Sequence, residues 1–407
     1  MGRKPTRDYR LRFLQLNSEA EAAEFLKKID VDPYGIEAMQ PKMVHLNLMF
    51  EGIECKVANI IKQEMLSIGG DAAVSRNTVS CSAKDTDIVI MGTVKQIRRF
   101  SEKICTQPFG LANISEAIRQ LLANISQDRF ILQTYHRKLT IGDRTLIMGI
   151  INVTPDSFSD GGRFKTSEDA IEQGLKMVDD GADIIDIGGE SSRPGAEAVS
   201  LEEEMARVIP VIKGLAIRVQ VPVSVDTTKA DVAREAIEYG AEIVNDISAM
   251  TFDDNMSSVV AGTGAAVILM HMRGTPSDMQ KGDLSYRSIR GDIIQYLKRR
   301  MEEGVSAGIP QESIMIDPGL GFGKTKEDNL RLIRYLDEFS ILGRPIVAGV
   351  SRKSFIGGIT GGKPTEREEG TAAAATAAIL NGAHIIRVHD VRIMKKVAAM
   401  ADAIMRA

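Results

Sequence analysis

The residues of this chain that could do chemistry recur at one kind of place, immediately after short and almost wholly apolar runs. Asn152 follows one such run, Asp226 another, then Asn245 with Asp246, Asp317, Ser351 with Lys353, and Arg387 with His389. A carboxylate in that position is costly without a partner, so it answers either a cation of the scaffold or a ligand edge rich in N–H donors. Several such groups on separate runs favour the ligand, most of all for Asp317 and less for Asp246. Asn152 offers a neutral oxygen to a magnesium ion or to the ion shell of a phosphate. Lys353 suits a heterocycle or offsets negative charge, with Ser351 beside it as a neutral donor. Arg387 and His389 alternate along their run and so share one face, where a phosphate or pyrophosphate is the natural guest.

Loops extend this set. The stretch NVTPDSFSDGGRF from Asn152 is long, polar and glycine-bearing, as a segment closing over substrate would be. GGESSRPG from Gly188 brings backbone close, supplies hydroxyls and places Arg193 for a carboxylate or phosphate. PGLGFGKT after Asp317 looks like a phosphate loop, but Pro318 stands where its first glycine belongs. Lys324 likewise displaces the third glycine of a dinucleotide fingerprint, so both nucleotide readings fail. His271 lies between Met270 and Met272 with no second histidine at metal spacing, which reads as a wall residue.

Eight apolar runs carry these groups: 146–153, 184–187, 221–225, 243–247, 266–270, 314–316, 346–350 and 385–388. Each is near-continuously hydrophobic, as a strand covered on both faces must be. Helical patterns alternate with them, for example 327–339 with Leu330, Ile333, Leu336 and Phe339 on one face, and 289–305 with Ile293, Leu297 and Met301. Alternation makes the sheet parallel, and about 260 residues for such a series fits a closed (β/α)8 barrel better than a doubly wound open sheet. The strand ends then face one active site. Upstream, residues 138–141 and 144–147 around Gly142-Asp143 read as a hairpin leading into the first barrel strand and closing its floor.

Residues 1–125 follow another pattern, with strands near 44–50, 73–81 and 88–91 and helices over 55–66, 94–104 and 113–125. This smaller α/β domain carries no assignable motif, which leaves packing, oligomerisation or regulation as its expected role. The expected organisation is thus 1–125 as that domain, 126–144 as linker and hairpin, and 145–407 as the barrel. The 407 residues suffice for these two cores. A net charge of −4 with scattered Lys and Arg provides no field for nucleic acid or an anionic membrane. Cys55, Cys81 and Cys105 lack metal or redox spacing, which points to reduced thiols in a cytoplasm. The start has no apolar signal core, and Gly2 with Thr6 meets only the bare myristoylation pattern, so a soluble, unexported protein is expected.

Taken together, INVTPDSFSDGGRF from Ile151, GGESSRPGA from Gly188, VDT from Val225, NDI from Asn245, DPGLGFGK from Asp317, SRKS from Ser351 and RVHDV from Arg387 closely resemble the dihydropteroate synthase family. The likeness covers about residues 137–407 in the family's order and leaves the first 125 unmatched. It implies condensation of 4-aminobenzoate with (7,8-dihydropterin-6-yl)methyl diphosphate, giving 7,8-dihydropteroate and pyrophosphate with Mg2+, in folate biosynthesis. By motif position it implies pterin-binding roles for Asp226, Asn245, Asp317 and Lys353, with Met270 and Phe322 as apolar walls. Asp226, Asp317 and Lys353 are the implied catalytic groups. Asn152, Arg387 and His389 would take the diphosphate, Asn152 the metal, and Phe164, Ser192, Arg193, Pro194 and Ser351 the 4-aminobenzoate. Ser192 stands where the family commonly has Thr, which bears on aminobenzoate specificity. The resemblance also implies a homodimer. A methyltetrahydrofolate:corrinoid methyltransferase shares the barrel and pterin pocket but needs no diphosphate site, and a non-catalytic pterin-binding regulator needs no complete set of strand-end groups.

Overall fold

The computed structural model describes residues 10–78, 83–154, 166–193, 195–196 and 198–407. The chain divides into two compact units, Met1–Ser126 and Gln127–Ala407. Among the described residues no helix is long and apolar enough to cross a membrane.

The first unit is an antiparallel sheet with helices. Its strands β1 (His45–Glu54), β2 (Asp71–Val74) and β3 (Asp85–Thr93) lie in the order β1-β3-β2. Alternate residues of β3 are buried, so one face of the sheet packs and the other is wetter. Ile88 and Ile90 meet Ile61, Ile97, Phe100 and Ile118 from the helices Cys55–Ser67, Val94–Ile104 and Leu111–Ile125. The strand expected over 73–81 is displaced to 71–74 and turns away by Thr78. Two helices escaped the periodicity, Glu19–Lys28 and Pro33–Met43, because they bury only Ala22 and Leu26, and only Pro41, respectively. Their caps were legible: Ser18 accepts from Glu21 N, and Asp32 precedes a proline at the first turn.

The second unit begins with a hairpin, but not the expected one. Strand β5 (Lys138–Ile141) pairs with β4 (Phe130–Gln133) upstream rather than with residues 144–147. Leu146 N instead donates to His384 O, which commits that run to the barrel. Phe130, Leu132 and Ile141 of the hairpin cluster with Leu146, Ile184, Ile243, Ala266, Val347 and Ile385, and so close the barrel floor.

The barrel strands are β6 (Leu146–Asn152), β7 (Ile184–Gly188), β8 (Val223–Asp226), β9 (Ile243–Asp246), β10 (Ala266–Met270), β11 (Ile314–Asp317), β12 (Val347–Ala348) and β13 (Ile385–Val388). All pairings among them are parallel, in the order β11-β10-β9-β8-β7-β6-β13-β12. A parallel bridge between Ile316 and Ile346 joins the two ends of that series, making a (β/α)8 barrel. Helices follow the strands with good caps, Thr166 before Ser167–Asp179, Thr325 before Lys326–Arg334 and Asp390 before Val391–Met405. The expected apolar face over 327–339 needs one correction. The helix ends at Arg334 and a 3-10 turn follows, so Leu330 is exposed and Leu332 takes the buried place.

Side-chain parity sorts each strand into two faces. Ile147, Ile185, Val244, Val267, Ile316 and Ile386 point to the helices, while Met148, Ile184, Ile243, Ile268, Met315 and Ile385 fill the interior. Two residues further along the inward face stand Asp186, Asn245, Asp317 and Arg387. On these four strands the interior changes from hydrocarbon to polar and charged groups in one step, while Ile150 and Met270 keep the same level apolar on β6 and β10.

Candidate active site

The inward polar layer is organised around Arg387. Its Nε donates to Asp186 Oδ2 at 2.6 Å and its Nη2 to Asp226 Oδ2. Asn245 Nδ2 donates to the same Asp186 oxygen at 3.1 Å. Asp226 thus has the scaffold cation that its position demanded, and the charge of Arg387 is already balanced by two carboxylates. Burial opposes the Arg387 charge, but Asp186 and Asp226 outweigh it and hold the guanidinium above its ordinary pKa. Burial also raises the Asp226 carboxyl, against the pull of Arg387.

Asp317 is placed differently. Its Oδ1 accepts from Gly319 N, at 2.7 Å, and burial raises its pKa. Lys353 Nζ sits 4.1 Å from the centre of the Phe322 ring, and burial lowers the ammonium to about 8. Phe322 and Met270 pack with Ile247, Met272 and Met279 as one apolar wall, so the two expected wall residues are brought together. Asp246 faces the other way. It accepts from Ser248 N, Ser248 Oγ and Met250 N and shapes the loop behind β9.

The glycine-rich loop after Asp317 wraps around its own lysine. Lys324 Nζ reaches Gly319 O at 2.8 Å, Phe322 O at 2.9 Å, His271 O at 3.2 Å and His271 Nδ1 at 3.0 Å. A side chain at Gly319, where φ is +71°, would stand 1.9 Å from His271 O, which explains the glycine. Burial lowers Lys324 to about 7 and pushes His271 down to about 2, so the imidazole is a neutral acceptor. His271 also meets the Tyr296 ring edge-on at 4.9 Å, as befits a wall residue.

At the rim, Asn152 Nδ2 lies 3.5 Å from His389 Nε2, and His389 Nδ1 lies 2.9 Å from Ser351 Oγ. Burial, followed by Arg352, Arg387, Arg193 and Lys353, keeps His389 well below its usual pKa. That favours the neutral imidazole, a hydrogen-bonding group beside the Arg387 cation. Ser192 is partly buried and Arg193 exposed, in a loop tied to the segment after β10 by Gly195 N donating to Pro276 O at 2.9 Å. Behind this loop Lys229 bridges Glu190 and the buried Glu204. Phe164 and Pro194 lie outside the described residues.

Two members of the site were not identified from sequence. Asp186 sits inside a strand rather than at its end, although a carboxylate within IIDIG is itself a signal. Lys324 was considered only as part of a failed nucleotide motif. The strand ends thus bring carboxylates and an amide, an apolar wall, and cationic and neutral donors to one end of the barrel. That suits a flat heterocycle with several N–H groups joined to an anion.

Comparison with known proteins agrees with this geometry. Residues 148–389 match the family described as pterin binding enzyme. Dihydropteroate synthase of Synechocystis is 48% identical over 266 residues, which cover 65% of this chain and 92% of that protein. A probable bifunctional folylpolyglutamate synthase/dihydropteroate synthase of Halobacterium salinarum is 40% identical over 92% of this chain, an extent that takes in most of the first unit; the chain spans 45% of that relative. The crystal structure of Xanthomonas albilineans dihydropteroate synthase with 4-aminobenzoic acid superposes with a TM-score of 0.64 at 41% identity, over 69% of this chain and 99% of that one. The chain therefore belongs to the pterin-binding enzyme family.

Proposed function

We propose that the barrel is a dihydropteroate synthase, joining 4-aminobenzoate to (7,8-dihydropterin-6-yl)methyl diphosphate with release of pyrophosphate in folate biosynthesis. The carrying observation is the inward acceptor set Asp226, Asn245 and Asp317 beside the donors Arg387 and His389. Asp317 accepts from the amino group and ring N–H of the pterin, Lys353 donates to its carbonyl side, and Met270 and Phe322 form the apolar wall against which the ring packs. Breaking the C–O bond moves negative charge onto the diphosphate, which Arg387 meets with the N–H donors that Asp186 and Asp226 leave free and His389 with an N–H. Asp226 and Asp317 stabilise the positive charge left on the pterin, and the arylamine adds from the side of Ser192, Arg193 and Ser351 and gives up its proton to the departing pyrophosphate; Phe164 and Pro194 are assigned to the same substrate by motif position alone. No protein nucleophile is required.

Magnesium, when bound, shields the leaving group. The donor set fits an ion that arrives with the diphosphate. Asn152 would give the ion one neutral oxygen, beside the oxygens that the diphosphate brings. We assign catalysis to residues 145–407, with 126–144 as hairpin and 1–125 as an accessory domain. A cytoplasmic homodimer is the proposed form, in keeping with the free thiols Cys55 and Cys105 and with the family resemblance.

The test is purified protein with Mg2+, 4-aminobenzoate and the pterin diphosphate, read as pyrophosphate release and 7,8-dihydropteroate formation. Stoichiometric product is expected; methyl transfer to a corrinoid protein without pyrophosphate release would overturn the assignment.

A further inference from the structure

Asp186 presents a carboxylate where hydrophobic packing alone would place another isoleucine. It is fully buried on the inward face of β7, two residues above Ile184 of the floor cluster. One oxygen, Oδ2, takes both Arg387 Nε and Asn245 Nδ2; the other, Oδ1, is buried with no hydrogen-bond partner among the described residues. A buried carboxylate oxygen without a donor carries an uncompensated desolvation cost beside the ion pair that the other oxygen makes.

We propose that Asp186 is a positioning residue that sets the hydrogen-bonding polarity of the pterin pocket, an inference that rests on the reading of the site as a pterin site. A carboxylate only accepts. The Asn245 amide must therefore turn its NH2 toward Asp186, which leaves its carbonyl oxygen as the atom for a ligand. Among the described residues no donor reaches that oxygen. With the amide reversed, the pocket would show an NH2 to the N–H groups of the heterocycle, a donor against a donor. Asp186 so makes Asn245 a third acceptor beside Asp226 and Asp317, matched to a ring edge that only donates.

The same carboxylate aligns Arg387. Nε goes to Asp186 and Nη2 to Asp226, so one edge of the planar guanidinium is spent on the scaffold. The Nη1 amino group remains, together with the second Nη2 hydrogen, a fork held in one orientation for the anion. Removing Asp186 would free the amide to flip and the guanidinium to swing, without removing any atom that touches substrate.

The experiment compares wild type, Asp186→Ala, Asp186→Asn, Asn245→Ala and Asp186→Ala/Asn245→Ala, with melting temperature and steady-state KM for each substrate. Asp186→Ala removes the oxygen that both Arg387 and Asn245 use and is expected to raise KM for the pterin diphosphate about 10- to 100-fold, and to leave KM for the arylamine substrate within about twofold. Asp186→Asn keeps an acceptor oxygen in that place and should recover most of the loss. The double alanine variant should lose less than the product of its two single losses, a coupling that a merely structural role would not give. An unchanged pterin KM in Asp186→Ala, an equal rise in both KM values, no recovery in Asp186→Asn, or fully additive losses in the double variant would each overturn the proposal. If wild type itself makes no dihydropteroate, the function assignment fails instead, and the two failures are told apart by that control.

Discussion

The lower and upper layers of the barrel interior are built by the same strands with the same parity, yet they answer different demands. Below, Met148, Ile184, Ile243, Ile268, Met315 and Ile385 pack on the hairpin residues Phe130, Leu132 and Ile141, with the small hydroxyl of Ser224 at the matching place on β8. Two residues higher, Asp186, Asn245, Asp317 and Arg387 replace hydrocarbon with charge. The lower layer holds the strands in register, and the upper layer uses that rigidity to fix hydrogen-bonding groups in a dry space. Stability and chemistry are separated by one step of the strand repeat.

This division can be broken from either side. The largest expected effect is from Asp317→Asn, which keeps the shape but loses the charged acceptor; kcat/KM should fall by about 10³-fold, with the melting temperature maintained. A comparable loss of activity accompanied by unfolding would show that the upper layer also carries stability. From below, Ile268→Ala should cost about 2–5 kcal/mol of stability in denaturant titration, because the site is fully buried. Its KM values should stay at wild type, and a selective rise in the pterin KM would show the layers to be coupled.

A subtler effect separates charge from shape at Lys353. The ammonium titrates near 8 because burial disfavours the charged form, and Asp317 partly restores it. Below that pH the cation is present; above it the cation is lost. The pterin KM should therefore climb with pH, by up to about tenfold per unit once the neutral amine predominates. Lys353→Arg should flatten that alkaline limb, since guanidinium stays charged through the range, and an identical pH profile in the variant would assign the limb elsewhere. The smallest effect belongs to the outer face of a barrel helix. Leu330→Ala should change stability by no more than about 0.5 kcal/mol, whereas Leu332→Ala, fully buried, should cost about 2–5 kcal/mol.

The eight barrel strands were legible because a strand buried on both faces has no choice but a continuous apolar run. Their polar termini were legible for a related reason: a charged group ending such a run requires a partner. What the sequence withheld was pairing. Residues 138–141 could form a hairpin with the strand on either side, and only the floor packing of Phe130 and Leu132 selects the upstream one. Asp186 acts from within a strand, where a rule that looks to strand ends for chemistry does not reach. His389 has the position of a cation, although burial and the surrounding arginines and Lys353 keep it neutral. Charge states of clustered groups depend on neighbours brought from distant strands, and no local spacing encodes them. In the first unit the helices Glu19–Lys28 and Pro33–Met43 show the same limit, since caps were present but little apolar surface was there to make a period.

The central claim is that the upper layer is a pterin pocket. Its most direct test is calorimetric titration of 6-hydroxymethyl-7,8-dihydropterin, which lacks the diphosphate, into wild type and Asp317→Asn. Saturable binding by wild type, weakened at least about 100-fold in the variant, is the predicted result. Equal affinity in the two proteins, or no binding to wild type, would contradict it.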